Sequence, residues 1–270
     1  MNELIGNIVT IIQARMKSAR LPKKVIMSLA GKPLLIRMYE RVAASRLTGT
    51  VVVATTTDKE DDKIYNLCKS EGINVFRGHP MDLLDRHYRV GLKYDADAVV
   101  KIPSDCPLID PSVISRVLKY YIDKQNRYDF VSNLHPPTYP DGNDIEVMRM
   151  DVLRSAWKSA KLPFEREQTT PYIWKNPEKF RIGNVVWEAG LDYSMTHRFT
   201  IEYEEDYFFI KSVYDELYNS NPYFGINDIL YLLQMKPHIK EINSKYYGVN
   251  RCRHHIHDLK TIYPEQTRII

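Results

Sequence analysis

Over its first half this chain alternates short β-branched runs with amphipathic stretches, and few folds accommodate that rhythm. Asn7–Gln13 (NIVTIIQ), Thr50–Thr56 (TVVVATT), Ile73–Phe76 and Ala98–Ile102 (AVVKI) are short and rich in Val, Ile and Thr. Such runs fit buried strands better than helices. Helical spacing fills the gaps between them, over Pro33–Ser45, Glu60–Ser70, Pro80–Tyr94 and Pro111–Lys124. In the second of these, Ile64, Leu67 and Cys68 share one face, and Asp58 is placed to cap it. Pro33, Pro80 and Pro111 fall where helices are expected to begin, a position that tolerates a missing N–H.

A repeated strand–helix–strand pattern predicts an α/β fold: a doubly wound, mostly parallel sheet with helices on both faces. Ligands on such sheets bind outside the carboxyl ends of the strands. That rule singles out the loops Ala14–Lys24, Thr56–Asp58, Arg77–His79 and Pro103–Asp110.

From about Tyr128 the rhythm changes. Tyr128–Asn133 and Ile145–Met148 read as strands around a proline-rich loop, His135–Asp141. Helices are expected over Asp151–Lys161 and Glu165–Lys175, then strands at Arg181–Trp187 and His197–Ile201, then a helix over Glu204–Tyr218. Residues 1–245 therefore read as one domain with a smaller substrate lobe at about 128–190 inside it, and 246–270 as a tail. The tail's run Arg251–His257 holds three histidines, but as close sequence neighbours they lack the convergent spacing of a zinc site.

Composition narrows the function. The net charge is +4, with acids and bases interspersed, which argues against a nucleic-acid partner. The opening apolar run is too short for a membrane span, and Arg15 follows it closely. Cys68, Cys106 and Cys252 lie far apart; they suggest neither a disulfide framework nor a metal knuckle, and a reducing cytoplasm is the expected compartment.

The most informative stretch is Gln13–Leu35, QARMKSARLPKKVIMSLAGKPLL. Arg15, Lys17, Arg20, Lys23 and Lys24 fall within ten residues, directly after a strand, with no acid until Glu40. Cations and backbone N–H groups at a strand's carboxyl end suit a polyphosphate, since phosphoryl transfer depends on positioning and charge neutralisation. The stretch has neither GxxxxGK[ST] nor GxGxxG, so it is not a P-loop or a dinucleotide fingerprint. A second stretch, VVKIPSDCPLIDP, places Asp105 after the fourth strand, where a carboxylate can hold Mg²⁺ against phosphates. Asp110, just before Pro111, reads as a helix cap.

The ordered motifs QARMxSxRLPxK, AGKPLL, VVVATT, DxLDR, SDCPLIDP, YPDGxDIEV, EREQxTPYIWKNPEKF and EYEEDY, spread over Ile8–Leu233, resemble a known group. It is the cytidylyltransferase family of spore coat polysaccharide biosynthesis protein F, a cousin of the CMP-Kdo and CMP-sialic acid synthetases. The resemblance implies a GT-A-like sheet with a dimerising lobe, and transfer of CMP from CTP to a small-molecule acceptor. It also implies release of pyrophosphate and Mg²⁺ as the cofactor, and the aromatic-rich second half suggests a homodimer.

By the same resemblance Arg15 and Lys24 would be catalytic. Gln13, Ala14, Ser18, Arg20, Asp85 and Arg86 would join them in holding the nucleotide, and Asp105 and Glu202 would hold the metal. Asp144 and Glu146 would face the acceptor; Arg166, set between Glu165 and Glu167 at a helix start, reads separately as a residue that can reach an anionic acceptor. The chain departs from the family pattern at Lys17 and Lys23, where glycine is usual, and at Glu202, where aspartate is usual, with Asp206 as a fallback ligand. Gln168 stands where many relatives have histidine. Two other readings stay open: a GT-A-type glycosyltransferase, and a nucleotide binder without turnover.

Overall fold

The computed structural model describes residues 6–250, 265 and 267–268 of the chain. The tail's histidine run and Cys252 lie outside them.

β1 (Ile8–Gln13) is followed by a turn of antiparallel pairing between β2 (Ser28–Leu29) and β3 (Lys32–Pro33), then by α1 (Leu34–Ala43). Next come β4 (Thr50–Thr56), α2 (Asp62–Ser70), β5 (Asn74–Gly78), α3 (Leu83–Lys93), β6 (Ala98–Pro103) and α4 (Pro111–Asp123). The four expected strands and four expected helices are all present, with shifted ends. The α3 helix begins at Leu83 rather than Pro80, because the Asp82 carboxylate caps it by accepting from the Asp85 amide at 2.8 Å. Asp58 makes no side-chain cap; a 3₁₀ turn at Lys59–Asp61 precedes α2, and the Asp58 carboxylate reaches Lys17 Nζ at 3.4 Å. Asp110 does cap, accepting from the Ser112 amide at 2.7 Å and from the Ile226 amide at 2.8 Å.

The remaining elements are β7 (Phe130–Ser132), β8 (Glu146–Arg149), α5 (Met150–Ser159), α6 (Pro163–Gln168), α7 (Pro171–Trp174), β9 (Ile182–Asn184), α8 (Glu204–Leu217), α9 (Ile226–Met235) and α10 (Pro237–Glu241). The single helix expected over Glu165–Lys175 is two, because Thr169 takes φ +77 and Pro171 cannot continue the hydrogen-bond ladder. The strand expected at His197–Ile201 does not form. Its backbone bonds are divided between two loops: the Phe199 amide goes to Asp141 O, and the Ile201 amide to Asp105 O.

Seven strands form one sheet in the order β5-β4-β1-β6-β8-β7-β9. β1, β4, β5 and β6 run parallel, while β8 is antiparallel to both β6 and β7. Alternate residues feed two cores. Ile8, Ile12, Val51, Val53, Val100 and Ile102 meet α1, α2 and α4 on one face; Val9, Ile11, Val52, Ala54 and Val99 meet α3, α5 and α7 on the other. Burial on both faces is why these strands read as continuous apolar runs. A third cluster joins α8 and α9 to Leu29, Leu34 and Leu108. The strands of the 128–190 stretch extend the same sheet. Among the described residues no helix is long and apolar enough to cross a membrane.

Candidate active site

The chain leaves β1 towards β4 and β5, then returns to lay β6 on the other side of β1. Loops after β1 and β6 therefore part company, which opens a crevice at their carboxyl ends. A cavity of about 370 Å³ lies there, within the usual range for small-molecule sites.

One wall is the loop after β1, which brings Gln13, Ala14, Arg15, Lys17, Ser18, Arg20 and Lys24 to the cavity. Three bonds fix it. The Ala14 amide donates to Ala54 O at 3.0 Å, the Met16 amide to Asp61 Oδ1 at 2.7 Å, and the Lys23 amide back to Met16 O at 2.9 Å. Asp61 is buried and also accepts from the Thr56 hydroxyl. Lys23 closes the loop at φ +64, a conformation that favours glycine. Lys24 then points inward, with Nζ 2.6 Å from Ile201 O and 4.0 Å from Asp105 Oδ2.

The facing wall is acidic. Asp105 and Glu202 sit on segments joined by the Ile201 amide, which donates to Asp105 O at 2.8 Å, and both line the cavity with Asp141 and Asp144. Gly142 at φ +107 allows the Asp141 loop to approach the chain at Phe199–Thr200; a Cβ there would fall 2.6 Å from the Phe199 carbonyl carbon. Beneath this wall lies Arg198, fully buried. It donates to Asp206 at 2.8 and 3.0 Å, to Asp141 and Glu202 at 3.3 Å each, and to Val249 O. Burial opposes its charge, but the Asp206 hydrogen bond and the surrounding carboxylates outweigh it and raise its pKa. Burial raises the Asp141 pKa well above the usual carboxylate value; Arg198 opposes the rise, and Asp144, Glu202 and Asp105 add to it. Asp206 is no ligand: it is wholly buried and also accepts from the Glu202 and Tyr203 amides.

At the other end, Arg86 lines the cavity from α3, donating to the carbonyls of His79 and Pro80 at 2.9 and 3.1 Å. Its buried Nε has no hydrogen-bond partner among the described residues. Burial, then the Arg15 charge, pushes its pKa down to about 10. A guanidinium held by carbonyls rather than by a bound carboxylate is suited to an anion. Lys101 reaches the cavity from mid-β6 while paired with Glu146 in the core.

Three expected site residues stand outside the cavity lining. Asp85 accepts from Trp157 Nε1 at 2.9 Å and from Arg89 Nε at 2.6 Å. Glu146 turns inward to Lys101 and to the Thr170 hydroxyl, 2.6 Å away. Arg166 bonds Asp82 at 2.9 Å and Trp157 O at 2.7 Å, while its neighbours Glu167 and Gln168 line the cavity instead. Each charge found a partner on a distant segment. Conversely, Arg198, Lys101 and Asp61 were missed. Only Arg198 carried a signal, standing four residues before Glu202 and eight before Asp206.

The donor set fits a divalent cation in one way. Among the described residues no three His, Cys, Asp or Glu side chains form a metal cage. Magnesium needs no such cage when one or two carboxylates and substrate phosphates complete its shell. Asp105 and Glu202 supply two carboxylates on adjoining segments; burial raises the Asp141 pKa first, and the charges of Asp144, Glu202 and Asp105 that add to the rise would be offset by positive charge placed among them.

Residues 9–263 match the family model described as Cytidylyltransferase. A protein of Methanocaldococcus jannaschii is 36% identical over 241 residues, 88% of this chain and 94% of that one. The spore coat polysaccharide biosynthesis protein SpsF of Bacillus subtilis is 28% identical over 239 residues, 86% of this chain and 96% of its own. A solved cytidylyltransferase from Leptospira borgpetersenii superimposes with a TM-score of 0.82 at 33% identity, covering 87% of this chain and 98% of that one. A crevice at the switch point, with cations on one wall and carboxylates on the other, agrees with these matches: the chain belongs to the cytidylyltransferase family and is a nucleotidyltransferase.

Proposed function

We propose that this protein transfers CMP from CTP to a sugar-like or phosphorylated acceptor, releasing pyrophosphate, as a step in surface-polysaccharide synthesis. The observation that carries the reading is the pairing of opposite walls in one cavity: Arg15, Arg20 and Lys24 face Asp105 and Glu202. An acceptor oxygen attacks the α-phosphorus; the new O–P bond forms as the bond to the β-phosphate oxygen breaks. Pyrophosphate leaves with that electron pair, and the acceptor proton passes to solvent. Arg15, Arg20 and Lys24, with Ser18, hold the triphosphate and offset the charge gathering on the leaving group. Arg86 receives the nucleotide at the far end. Asp144, with Glu167 and Gln168, borders the acceptor. Mg²⁺, bound by Asp105 and Glu202, would supply positive charge to the phosphate oxygens.

Relationship to spore coat protein SpsF supports the polysaccharide role. Buried free thiols at Cys68 and Cys106 suit a reducing cytoplasm. The reading includes a homodimer, with the exposed Tyr231 and Met235 of α9 as apolar surface available to it. A glycosyltransferase is disfavoured because the nearest acid after Asp105 is Asp110, which is spent on capping two helix starts.

Pyrophosphate release, followed with all four nucleoside triphosphates, a divalent cation and a panel of sugar acceptors, tests the reading. Release with CTP alone, and only when cation and acceptor are both present, is expected. No release with any acceptor, despite tight CTP binding, would favour the binder without turnover.

A further inference from the structure

The cationic loop and the acidic wall are held together by a contact that uses up groups both need. Arg20 Nη2 donates to Glu202 Oε1, while Glu202 Oε2 accepts from Arg198 Nη2 at 3.3 Å. The two guanidinium groups differ in how they are fixed. Arg198 is buried and tied to Asp206, Asp141 and Val249 O. The Arg20 side chain is 36% exposed. Its hydrogen bond among the described residues goes to Glu202, and its other contact is the Tyr203 ring at 5.9 Å. Arg198 can therefore keep the Glu202 carboxylate in place while Arg20 moves.

We propose that the Arg20–Glu202 pair is an exchange latch that makes divalent-cation capture depend on a polyphosphate. Arg20 sits on one oxygen of the Glu202 carboxylate, Oε1, and Arg198 on the other; Glu202 itself lines the cavity. An arriving triphosphate offers Arg20 several anionic oxygens in a bidentate arrangement, against one carboxylate oxygen in the pair. Arg20 changes partner, and Glu202 turns its charge to the cation that accompanies the phosphates. Asp105 alone is then a poor cation site, so nucleotide and cation bind with positive coupling, each raising the affinity of the other by the same factor. The inference rests on the metal role given to Glu202 above, and it adds an order of events.

The test uses Mn²⁺ alone, titrated into the full chain and read by the paramagnetic resonance signal of free Mn²⁺. Arg20→Ala is expected to bind Mn²⁺ about tenfold more tightly than the unsubstituted protein, within the usual span of coupling factors. Arg20→Gln, which keeps more of the packing, is expected to do the same. The double variant Arg20→Ala/Glu202→Gln is expected to lose the gain. Equal Mn²⁺ affinity with and without Arg20 overturns the latch, and so does a gain that survives Glu202→Gln. Thermal melting of each variant checks that the fold is intact. CTP binding, titrated separately by calorimetry, bears on the cytidylyl reading; its absence would sink that reading while leaving the Mn²⁺ comparison decisive for the latch.

Discussion

The amide of Ile201 donates to the carbonyl oxygen of Asp105 at 2.8 Å, and the Thr200 hydroxyl donates to the same oxygen at 3.0 Å. These two bonds join the loop after β6 to the segment that carries Glu202. They also fix Lys24, whose ammonium donates to the carbonyl of that same Ile201. One short stretch of backbone thus registers the cationic loop against both carboxylates.

Asp105→Asn keeps the shape of the side chain and removes its charge. The expected result is a fall in turnover of about 10²–10³-fold, the scale seen when a group stabilising transition-state charge is removed. Thr200→Val deletes one bond to the Asp105 carbonyl and leaves the Ile201 bond. It is expected to cost about 1 kcal/mol of stability and to lower turnover far less than Asp105→Asn. Pyrophosphate release and thermal melts on both variants check the ranking. Equal losses would mean that the Asp105 charge has no special place.

Lys23 gives a stability test. At φ +64 its backbone occupies the left-handed region without the freedom of glycine. Lys23→Gly removes that strain but adds flexibility to the unfolded chain, so the net gain is about 0.5–1 kcal/mol. For a chain of this size that corresponds to a melting temperature higher by about 1–3 °C. Lys23 does not line the cavity, so nucleotide affinity should fall only slightly. A lower melting temperature would show that the lysine side chain, not the backbone, holds the turn.

The parallel half of the fold was legible because its strands are buried on both faces and its helices are amphipathic, so periodicity and length separate them. The cationic loop was legible because five charges after a strand have few structural uses. Elsewhere the sequence pattern was ambiguous for a physical reason. His197–Ile201 has the composition of a strand, yet its hydrogen bonds go to Asp141 and Asp105, which lie 57 and 95 residues away in sequence for the pairs Asp141–Arg198 and Asp105–Thr200. Asp85, Glu146 and Arg166 look like site residues until Trp157, Lys101 and Asp82 are seen beside them. A charge does not announce its partner when the partner is fixed by tertiary packing.

His87 predicts how the fold answers to acid. It is fully buried on α3, with Nδ1 2.9 Å from Leu83 O and a buried Nε2 that has no partner among the described residues. That arrangement suits a neutral ring protonated at Nδ1. Burial pushes its pKa down to about 3; the Leu83 bond opposes this, and the Lys101 and Arg86 charges reinforce it. The folded pKa lies below the unfolded value, so the stabilisation is complete above about pH 6.5 and drains away as pH falls towards 3. The loss reaches about 1.4 kcal/mol per unit in that window, and on the order of 3–5 kcal/mol in all. Urea denaturation between pH 8 and pH 4 measures it. His87→Leu should show a shallower fall, and identical slopes would assign the acid sensitivity to other groups.

Lys101 and Glu146 are each about 1% exposed and pair across adjacent strands β6 and β8, with the Thr170 hydroxyl on the second carboxylate oxygen at 2.6 Å. Such a pair is a weak source of net stability, because desolvating both charges offsets most of their attraction, while stranding one of them is severe. Lys101→Met should therefore destabilise by about 3–5 kcal/mol, since Glu146 is left charged in the core. Adding Glu146→Gln should recover most of that loss: the amide still accepts from Thr170, and no charge remains to be solvated. Denaturant titration of both single variants and the double variant gives the coupling directly. The double variant also separates packing from chemistry, because Lys101 reaches the cavity. If stability returns but turnover does not, the ammonium serves the nucleotide or acceptor; if both return, the pair only holds β6 to β8. Additive losses without recovery would rule out the pair as a coupled unit.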